Sequence, residues 1–357
     1  MSKILTEAGC HMPCYNPNLG LPVLGVRTPA GKQVYRFIPC DRGIPLRDDD
    51  RRRWLLYKEE YVPLPCNICI GCRLKYAREW ATRCMFELQY HDFAWFVTLT
   101  YNDEHVPRSY YPDPDTGEAI PVMTLNRRDI QLFFKRLRKA LPGQTIRYYG
   151  CAEYGPTTWR PHYHVILFGP PLPDLEIKRQ NVDGTVPAWT SATLQAAWSE
   201  RPFGNYSPIL DSIGDVEVSE VNWQTCSYVA RYVVKKQLGP DGRDFYAKFG
   251  LMRPYTYMSL KPAIGRQYLD DHPDIYDWDS VPLPCGDGVK DVYPPRYYDR
   301  IYDVDHPDEL AAIKEMRRNA ASAAQEVRLS RTSLSLYDLL ALEERAKLRR
   351  QQREFDI

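Results

Sequence analysis

Residues 146–168, which read IRYYGCAEYGPTTWRPHYHVILF, decide the fold of this chain. The pattern predicts one strand from Ile146 to Glu153 and a second from His162 to Phe168. Because the connection between them is short, the two strands are expected to pair in antiparallel fashion. In such a hairpin Glu153 and His162 can lie opposite each other.

The segments around this hairpin predict an α/β (α+β) fold with a central antiparallel sheet and helices packed on it. The other expected elements are strand 95–101, helix 126–140 with Asn126 as its N-cap, helix 192–198, strand 216–221 and helix 223–236. We divide the chain into a Cys-containing N-terminal segment and helix (1–90), the α/β domain (91–270), and a Pro- and Asp-rich linker with a helical C-terminal tail (271–357). The N-terminal segment reads as irregular chain with a small hairpin around 33–38, and the tail as two helical pieces with a break at 330–335.

The composition is that of a globular protein. Hydrophobic residues make up 44% and charged residues 26% of the 357 residues, and the net charge is +1, so disorder of the whole chain is excluded. The sequence lacks an apolar run of ~18 residues and an N-terminal signal, so we expect a cytoplasmic protein with no membrane partner. It also lacks the G-x-x-x-x-G-K-[ST] motif, so we expect no ATPase or helicase activity from this chain.

Three residues of the hairpin form a candidate metal site. His162 and His164 lie two positions apart on one strand, so their imidazoles share a face of the sheet. Together with Glu153 they make a ligand set for a divalent ion with open positions. Mg²⁺ or Mn²⁺ suits these ligands, and so does Zn²⁺. The alternative is a pair of surface or core histidines beside a solvent-facing glutamate.

The helix predicted over 223–236 carries candidate nucleophiles. Tyr228 and Tyr232 are four residues apart and share a helix face, and Lys235 follows one turn later on that face. A phenol, whose pKa is ~10, attacks a phosphate well only when its proton is removed or its charge is offset. A metal ion and a nearby ammonium would together meet this need. Ordinary packing of the three side chains is the alternative.

Three short motifs, taken in order, resemble those of the HUH endonuclease superfamily. They are Thr98-Leu99-Thr100-Tyr101, the triplet His162-Tyr163-His164 with its hydrophobic continuation, and the run Tyr228-x-x-x-Tyr232-x-x-Lys235. The set is particularly similar to replication initiators of gokushovirus-type microviruses, which are small single-stranded DNA phages, and the resemblance covers about residues 60–270. One departure is Tyr163, which stands where the superfamily typically has a bulky hydrophobic residue.

The resemblance implies a fold, an activity and partners. The fold would be an HUH domain of the RRM/ferredoxin-like kind. The activity would be rolling-circle initiation, in which the origin of a small circular phage genome is nicked, a 5′-phosphotyrosine link forms, a 3′-OH is left as primer, and the ends are rejoined into unit circles. The residues implied are Glu153, His162 and His164 as ligands of Mg²⁺ or Mn²⁺, Tyr228 and Tyr232 as nucleophiles, and Lys235 as support for the phosphate charge. Origin DNA and the host helicase and DNA polymerase would be the partners, in the cytoplasm of a host bacterium.

Two alternatives stay open. One is a non-catalytic nucleic-acid-binding protein on the same scaffold, although binding alone would not require both a histidine pair and a tyrosine pair. The other is an HUH transposase or relaxase, although the tandem tyrosines and the chain length favour the phage initiator. The basic face of helix 126–140 and the run Arg51–Arg53 are candidate phosphate contacts, or else solvated charged surface.

The cysteines are a separate hypothesis. Cys66, Cys69 and Cys72 form a C-x-x-C-x-x-C pattern, and Cys10 and Cys14 lie upstream. Without a secretory signal, disulfides are not expected. Cys14 and the three cysteines of the pattern would be adequate ligands for a structural Zn²⁺. The alternative is a helix start with thiols at chance positions.

Overall fold

The hairpin of residues 146–168 lies in the middle of the largest sheet in the computed structural model. Its strands span Arg147–Tyr154 and Pro161–Phe168 and pair in antiparallel fashion, as predicted. The structure describes residues 14–15, 18–28, 33–38, 62–201, 210–235, 239–278, 280–285 and 288–355. The chain divides into two compact units, one of residues 1–76 with 296–357 and the other of residues 77–295.

The strands of the described residues, in chain order, are β1 (Asn18–Arg27), β2 (Gln33–Ile38), β3 (Val62–Leu64), β4 (Ala94–Thr100), β5 (Arg108–Pro112), β6 (Ala119–Met123), β7 (Arg147–Tyr154), β8 (Pro161–Phe168), β9 (Leu175–Arg179), β10 (Ala188–Ser191), β11 (Ser199–Glu200), β12 (Asp211–Ser212), β13 (Val216–Glu220), β14 (Tyr255–Met258), β15 (Val281–Cys285) and β16 (Gly288–Val292). The helices are α1 (Ile70–Leu88), α2 (Arg127–Ala140), α3 (Ala192–Ala197), α4 (Trp223–Lys235), α5 (Gly239–Lys248), α6 (Arg266–Asp271), α7 (Arg296–Asp305), α8 (Pro307–Leu329) and α9 (Leu336–Phe355), and a 3₁₀ turn spans Pro273–Tyr276.

The central sheet has the strand order β14-β7-β8-β4-β13-β10-β9, and each neighbouring pair is antiparallel. Since successive side chains of a strand alternate between its faces, the sheet has one face for the main core and one for the histidines. The predicted antiparallel sheet with flanking helices is therefore confirmed.

Helix α2 covers the core face of the sheet. The side chain of Asn126 accepts a hydrogen bond from the Arg128 N–H, so it caps the helix as predicted. The helix residues buried against the sheet are Ile130, Phe133, Phe134 and Leu137. They meet a row of buried strand residues, namely Val97, Leu99, Tyr163, Val165 and Leu167. This apolar layer is the main core, and it holds β8 in place from behind.

Helices α1 and α4 lie on the other face. Trp80 of α1 stacks on Tyr149 of β7 with ring centroids 4.5 Å apart, and α4 packs on β7 and β8. Near the end of α1 the buried carboxylate of Glu87 accepts hydrogen bonds from the Arg147 guanidinium and from the Gly265 N–H (2.7 Å). The histidine-bearing face is thus partly roofed by two helices.

The unit that joins the N- and C-terminal residues has its own small sheet. Its strand order is β2-β1-β3, and β1 and β2 form the hairpin predicted around 33–38. Helices α8 and α9 are the two expected helical pieces, and residues 330–335 separate them. No helix of the described residues is long and apolar enough to cross a membrane.

Residues 270–305 have more regular structure than their sequence indicates. A hairpin of β15 and β16 lies within them, and α7 follows. In β15 the residues alternate between buried and exposed, and Pro282 and Pro284 occupy the exposed positions. A two-stranded ribbon tolerates prolines that would break a central strand, which is why the sequence pattern conceals this strand. The division of the chain at 90 and 270 stays a prediction.

Candidate metal centre and its tyrosine helix

Three neighbouring strands bring the candidate ligands to one face of the sheet. Glu153 of β7 lies directly opposite His162 of β8, as predicted. On the other side of β8, Thr98 of β4 lies opposite His164. Paired residues in an antiparallel ladder have side chains on the same face. The register therefore gathers these four side chains into one cluster.

The carboxylate of Glu153 lies between the two imidazoles. Its Oε1 is 2.7 Å from Nε2 of His162 and 3.3 Å from Nε2 of His164, and one ligand atom from each residue lies within 4.8 Å of the others. Ligands bound at right angles at ~2.1 Å would be ~3 Å apart, so the spacing suits a shared divalent ion. Glu153 and His164 are each 6% exposed, whereas His162 is half-buried. The donor set fits a small cation reached from the His162 side.

The second nitrogen of each imidazole is also held. Nδ1 of His162 lies 3.2 Å from the carbonyl oxygen of Arg160, and Nδ1 of His164 lies 3.0 Å from Oγ1 of Thr98. Contacts of this kind set the ring orientation of metal-binding histidines, and a donor N–H at Nδ1 leaves the Nε2 lone pair for the metal. The sequence places Thr98 in a motif but gives no sign of its role. Only the strand register reveals its contact with His164.

The negative charge at this cluster is favoured. Burial alone would raise the pKa of Glu153, but hydrogen bonds from His162 and His164 outweigh burial and lower the pKa. The carboxylate is therefore ionised at neutral pH, which is the form that binds a metal ion.

Helix α4 carries Tyr228 to this cluster. Oδ1 of Asn222 accepts a hydrogen bond from the Thr225 N–H at 2.8 Å and so caps the start of the helix. The ring of Tyr228 makes edge-to-face contacts with His164 (centroids 5.5 Å apart) and Phe96 (6.0 Å). Its side chain is 41% exposed, so one side of the phenol faces solvent.

The Tyr228 phenol is a weak acid in this environment. Burial, followed by the negative charge of Glu153, raises its pKa to about 12. The phenol is therefore protonated at neutral pH, and any reaction through its oxygen needs a compensating positive charge.

The other predicted residues of the tyrosine helix are placed by their backbone only. Tyr232 and Lys235 belong to α4, which ends at Lys235. Their side chains lie outside the described part of the structure, as do all atoms of Lys236 and of the run Arg51–Arg53. Their predicted roles stay predictions.

The tyrosine in the middle of the histidine triplet serves the opposite face of the sheet. Tyr163 is buried, and its hydroxyl donates a hydrogen bond to the carbonyl oxygen of Asn126 (2.6 Å). The same hydroxyl accepts from the Asn126 N–H (3.2 Å) and contacts the Tyr101 hydroxyl (2.9 Å). A hydroxyl is tolerated where a hydrophobic residue is typical, because the N-cap of α2 provides its partners.

The basic helix α2 lines a cavity on the core face of the sheet, between the helix and edge strand β14. The cavity has a volume of about 340 Å³. The Arg127 guanidinium lies 4.3 Å from the centroid of the Tyr255 ring, and Arg138 lies 5.8 Å from the centroids of Phe134 and Tyr148. Arginines beside aromatic rings form a surface that suits phosphates and bases. The predicted phosphate-binding face of α2 thus includes a concave part.

The four cysteines of the zinc hypothesis, Cys14, Cys66, Cys69 and Cys72, also lie together. Cys10 lies outside the described residues. This second cluster belongs to the unit of the N- and C-terminal residues.

Comparison with known proteins gives a consistent set of relatives. Residues 94–237 match a family of replication-associated proteins whose description begins with ORF2. Replication-associated protein ORF2 of Spiroplasma virus 4 is 32% identical over 289 residues, which cover 79% of this chain and 81% of that protein. Replication-associated protein VP4 of Bdellovibrio phage phiMH2K is 32% identical over 69% of each chain. Replication-associated protein ORF4 of Chlamydia phage 1 is 29% identical over 50% of this chain and 40% of that protein. No solved structure matches.

Proposed function

Because this chain belongs to the family of replication-associated proteins of small phages, we propose that it starts rolling-circle replication by nicking and rejoining DNA at the phage origin. One observation carries the proposal. A carboxylate and two imidazoles share one ion-sized site, and a half-exposed phenol on α4 contacts one of the imidazoles. A protein that only binds DNA needs neither feature.

Glu153, His162 and His164 would hold Mg²⁺ or Mn²⁺. Bound there, the ion would polarise the scissile phosphate and offset the negative charge that develops on it. The Thr98 hydroxyl and the Arg160 carbonyl would keep the two rings oriented. The exposed side of His162 leaves room for a DNA strand to approach.

The phenol oxygen of Tyr228 would attack the phosphorus atom. A bond from this oxygen to phosphorus forms, the bond from phosphorus to the 3′-oxygen breaks, and the phenol proton is lost while the 3′-oxygen gains one. Since the pKa of Tyr228 is raised to about 12, the attack depends on positive charge near the phosphate. Lys235, two helical turns further along α4, is the chain's own candidate for part of that charge.

Tyr232 would complete the cycle as a second nucleophile. While one tyrosine holds the 5′ end, the other can cut the regenerated origin, and the released 3′-OH then attacks the first linkage to close a circle. The phosphodiester energy is kept throughout, so joining needs no ATP. The host helicase and DNA polymerase would extend the 3′-OH in the bacterial cytoplasm.

A nicking assay tests the proposal. The substrates are end-labelled single-stranded oligonucleotides that tile the genome encoding the chain, with Mg²⁺ or Mn²⁺ present. We expect a denaturant-resistant protein–DNA adduct that persists in Tyr228→Phe or in Tyr232→Phe and disappears in the double variant. Tyr246→Phe, which changes a tyrosine of α5 outside the cluster, serves as the matched control. Binding without an adduct on any oligonucleotide would instead support a nucleic-acid-binding protein without catalysis.

A further inference from the structure

Four cysteines meet where the ends of two paired strands come together. Asn18 of β1 lies opposite Leu64 of β3, so the residues before Asn18 and after Leu64 lie at the same end of the small sheet. Cys14 comes from the first of these segments and Cys66 from the second. Cys69 precedes α1 directly, and Cys72 lies in its first turn. The topology of the sheet therefore gathers cysteines that are more than fifty positions apart in the chain.

The sulfur atoms are spaced as the corners of a metal-binding tetrahedron. All four are free thiols within 4.8 Å of one another. Sγ of Cys66 is 4.0 Å from Sγ of Cys72, and Sγ of Cys14 is 3.9 Å from Sγ of Cys69. Four sulfurs bound to one ion at ~2.3 Å would lie ~3.8 Å apart. A disulfide would instead bring two sulfurs to ~2.05 Å.

Backbone N–H groups point at these sulfurs. The N–H groups of Ile68 and Cys69 lie 3.4 and 3.2 Å from Sγ of Cys66. Asn67, with φ of 60°, adopts the left-handed conformation that turns the chain between Cys66 and Cys69. Partial positive charge directed at sulfur favours the thiolate form, and four adjacent thiolates are stable only around a cation. The loop is built for sulfur atoms that carry negative charge.

Two further N–H groups complete the pattern. The Cys66 N–H lies 3.3 Å from Sγ of Cys14, and the Tyr15 N–H lies 3.3 Å from Sγ of Cys69. Each link joins the segment of Cys14 to the segment that leads into α1. Tyr15, next to Cys14, is 5% exposed, so the segment is anchored by packing as well.

We propose that Cys14, Cys66, Cys69 and Cys72 bind one structural Zn²⁺ that ties the segment before β1 to the start of α1. Four sulfur ligands and a closed tetrahedral site suit Zn²⁺ and exclude Mg²⁺, which takes oxygen ligands. The site is separate from the cluster of Glu153, His162 and His164 and does not depend on the proposed function. Its role is to stabilise the small sheet, since metal binding energy contributes directly to folding.

Metal analysis of the full chain tests the zinc site. After dialysis against a weak chelator, we expect about one zinc ion per chain in the wild type. The Cys66→Ser/Cys69→Ser variant should lose it. The matched control Cys285→Ser, which removes a thiol outside the cluster, should retain it. The His162→Ala/His164→Ala variant should also retain its zinc while losing any nicking activity, so that failure of one proposal is distinguished from failure of the other.

A second measurement uses the wild-type chain alone, in case the cysteine variants do not fold. Exchange of zinc for Co²⁺ should give the intense visible bands and the sulfur-to-metal charge-transfer band of a tetrahedral thiolate site. A mercurial reagent should release zinc in step with the thiols it modifies. Wild-type protein without zinc, a cobalt spectrum without thiolate bands, or iron with the colour of an iron–sulfur cluster would each overturn the proposal.

Discussion

Oγ1 of Thr98 lies 3.0 Å from Nδ1 of His164, across the β4–β8 ladder. This contact fixes the ring whose other nitrogen lies 3.3 Å from the carboxylate of Glu153. We expect Thr98→Val, which removes only the hydroxyl, to weaken Mn²⁺ binding about 10- to 100-fold, as is typical when a metal-binding histidine is deprived of the group that orients it. Isothermal calorimetry with Mn²⁺ measures the change.

Two variants control this test. Thr98→Ser keeps the hydroxyl and should restore most of the affinity. Thr100→Val removes a hydroxyl from the same strand, where its Oγ1 lies 3.4 Å from the Asp215 carbonyl, and should leave affinity within about threefold of the wild type. Equal losses in both valine variants would mean that Thr98 acts on the strand rather than on His164.

The Glu87 carboxylate predicts a pH dependence of stability. Burial raises its pKa, but hydrogen bonds from His91, Arg147 and the Gly265 N–H outweigh burial and lower the pKa to about 2. A lowered pKa means that the ionised group stabilises the fold above its unfolded pKa, and that this stabilisation is lost as the pH falls through the folded pKa. We expect Glu87→Gln to lower the free energy of unfolding at pH 7 by on the order of 2–3 kcal/mol.

The difference between wild type and Glu87→Gln should shrink as the pH falls from about 5 towards 2, where the wild-type carboxyl is protonated too. Urea denaturation followed by circular dichroism, repeated across this pH range, measures it. Glu176→Gln, at an exposed position of β9, is the control and should change little. A constant difference down to pH 2 would contradict the assignment.

Gly150 predicts a steric limit beside the metal centre. A Cβ at this position would lie 2.6 Å from the carbonyl oxygen of His164 and 2.6 Å from the Tyr257 ring. We expect Gly150→Ala to destabilise the protein by about 1–3 kcal/mol, because strand and ring must move apart. Gly155→Ala, whose Cβ would have no neighbour closer than 3.6 Å, should be tolerated. Thermal melts of the two variants compare them directly, and equal melting temperatures would refute the argument.

The arginines of the α2 cavity predict a salt effect. If single-stranded DNA contacts Arg127 and Arg138 through phosphates, changing either to Gln should weaken binding. The slope of log affinity against log salt concentration should fall by about 0.7 for each phosphate that the variant no longer neutralises. Fluorescence anisotropy at several salt concentrations measures both quantities. Lys135→Gln removes the same charge from an exposed position of α2 outside the cavity lining, and an equal effect there would indicate only the general charge of the helix.

Local sequence patterns predicted the centre of the fold well. The hairpin, the capped helix α2 and the antiparallel sheet are confirmed, because period-two and helical patterns with clear turn signals specify them locally. The similarity to microvirus replication initiators is confirmed by the relatives. The proximity of Glu153 to both histidines followed from one short connection.

Other features depend on contacts that no local pattern encodes. The contact of Thr98 with His164 needs the register of two strands that are distant in sequence, and the carbonyl of Arg160 carries no sequence signal at all. The β15–β16 hairpin was missed because its prolines occupy exposed strand positions. The roles of Tyr228, Tyr232 and Lys235 stay predictions, since proximity alone does not establish catalysis.

The hairpin that holds the candidate ligands has a consequence for the order of folding. Glu153 and His162 are only nine positions apart, and a hairpin of this size closes in ~1–10 μs. Bringing Tyr228 to His164 closes a loop of 64 positions, which costs ~2 kcal/mol more in chain entropy. During synthesis the ligand hairpin also leaves the ribosome before α4 does. On the proposed function, a nascent chain can therefore bind its metal while it still lacks the tyrosines that cut DNA.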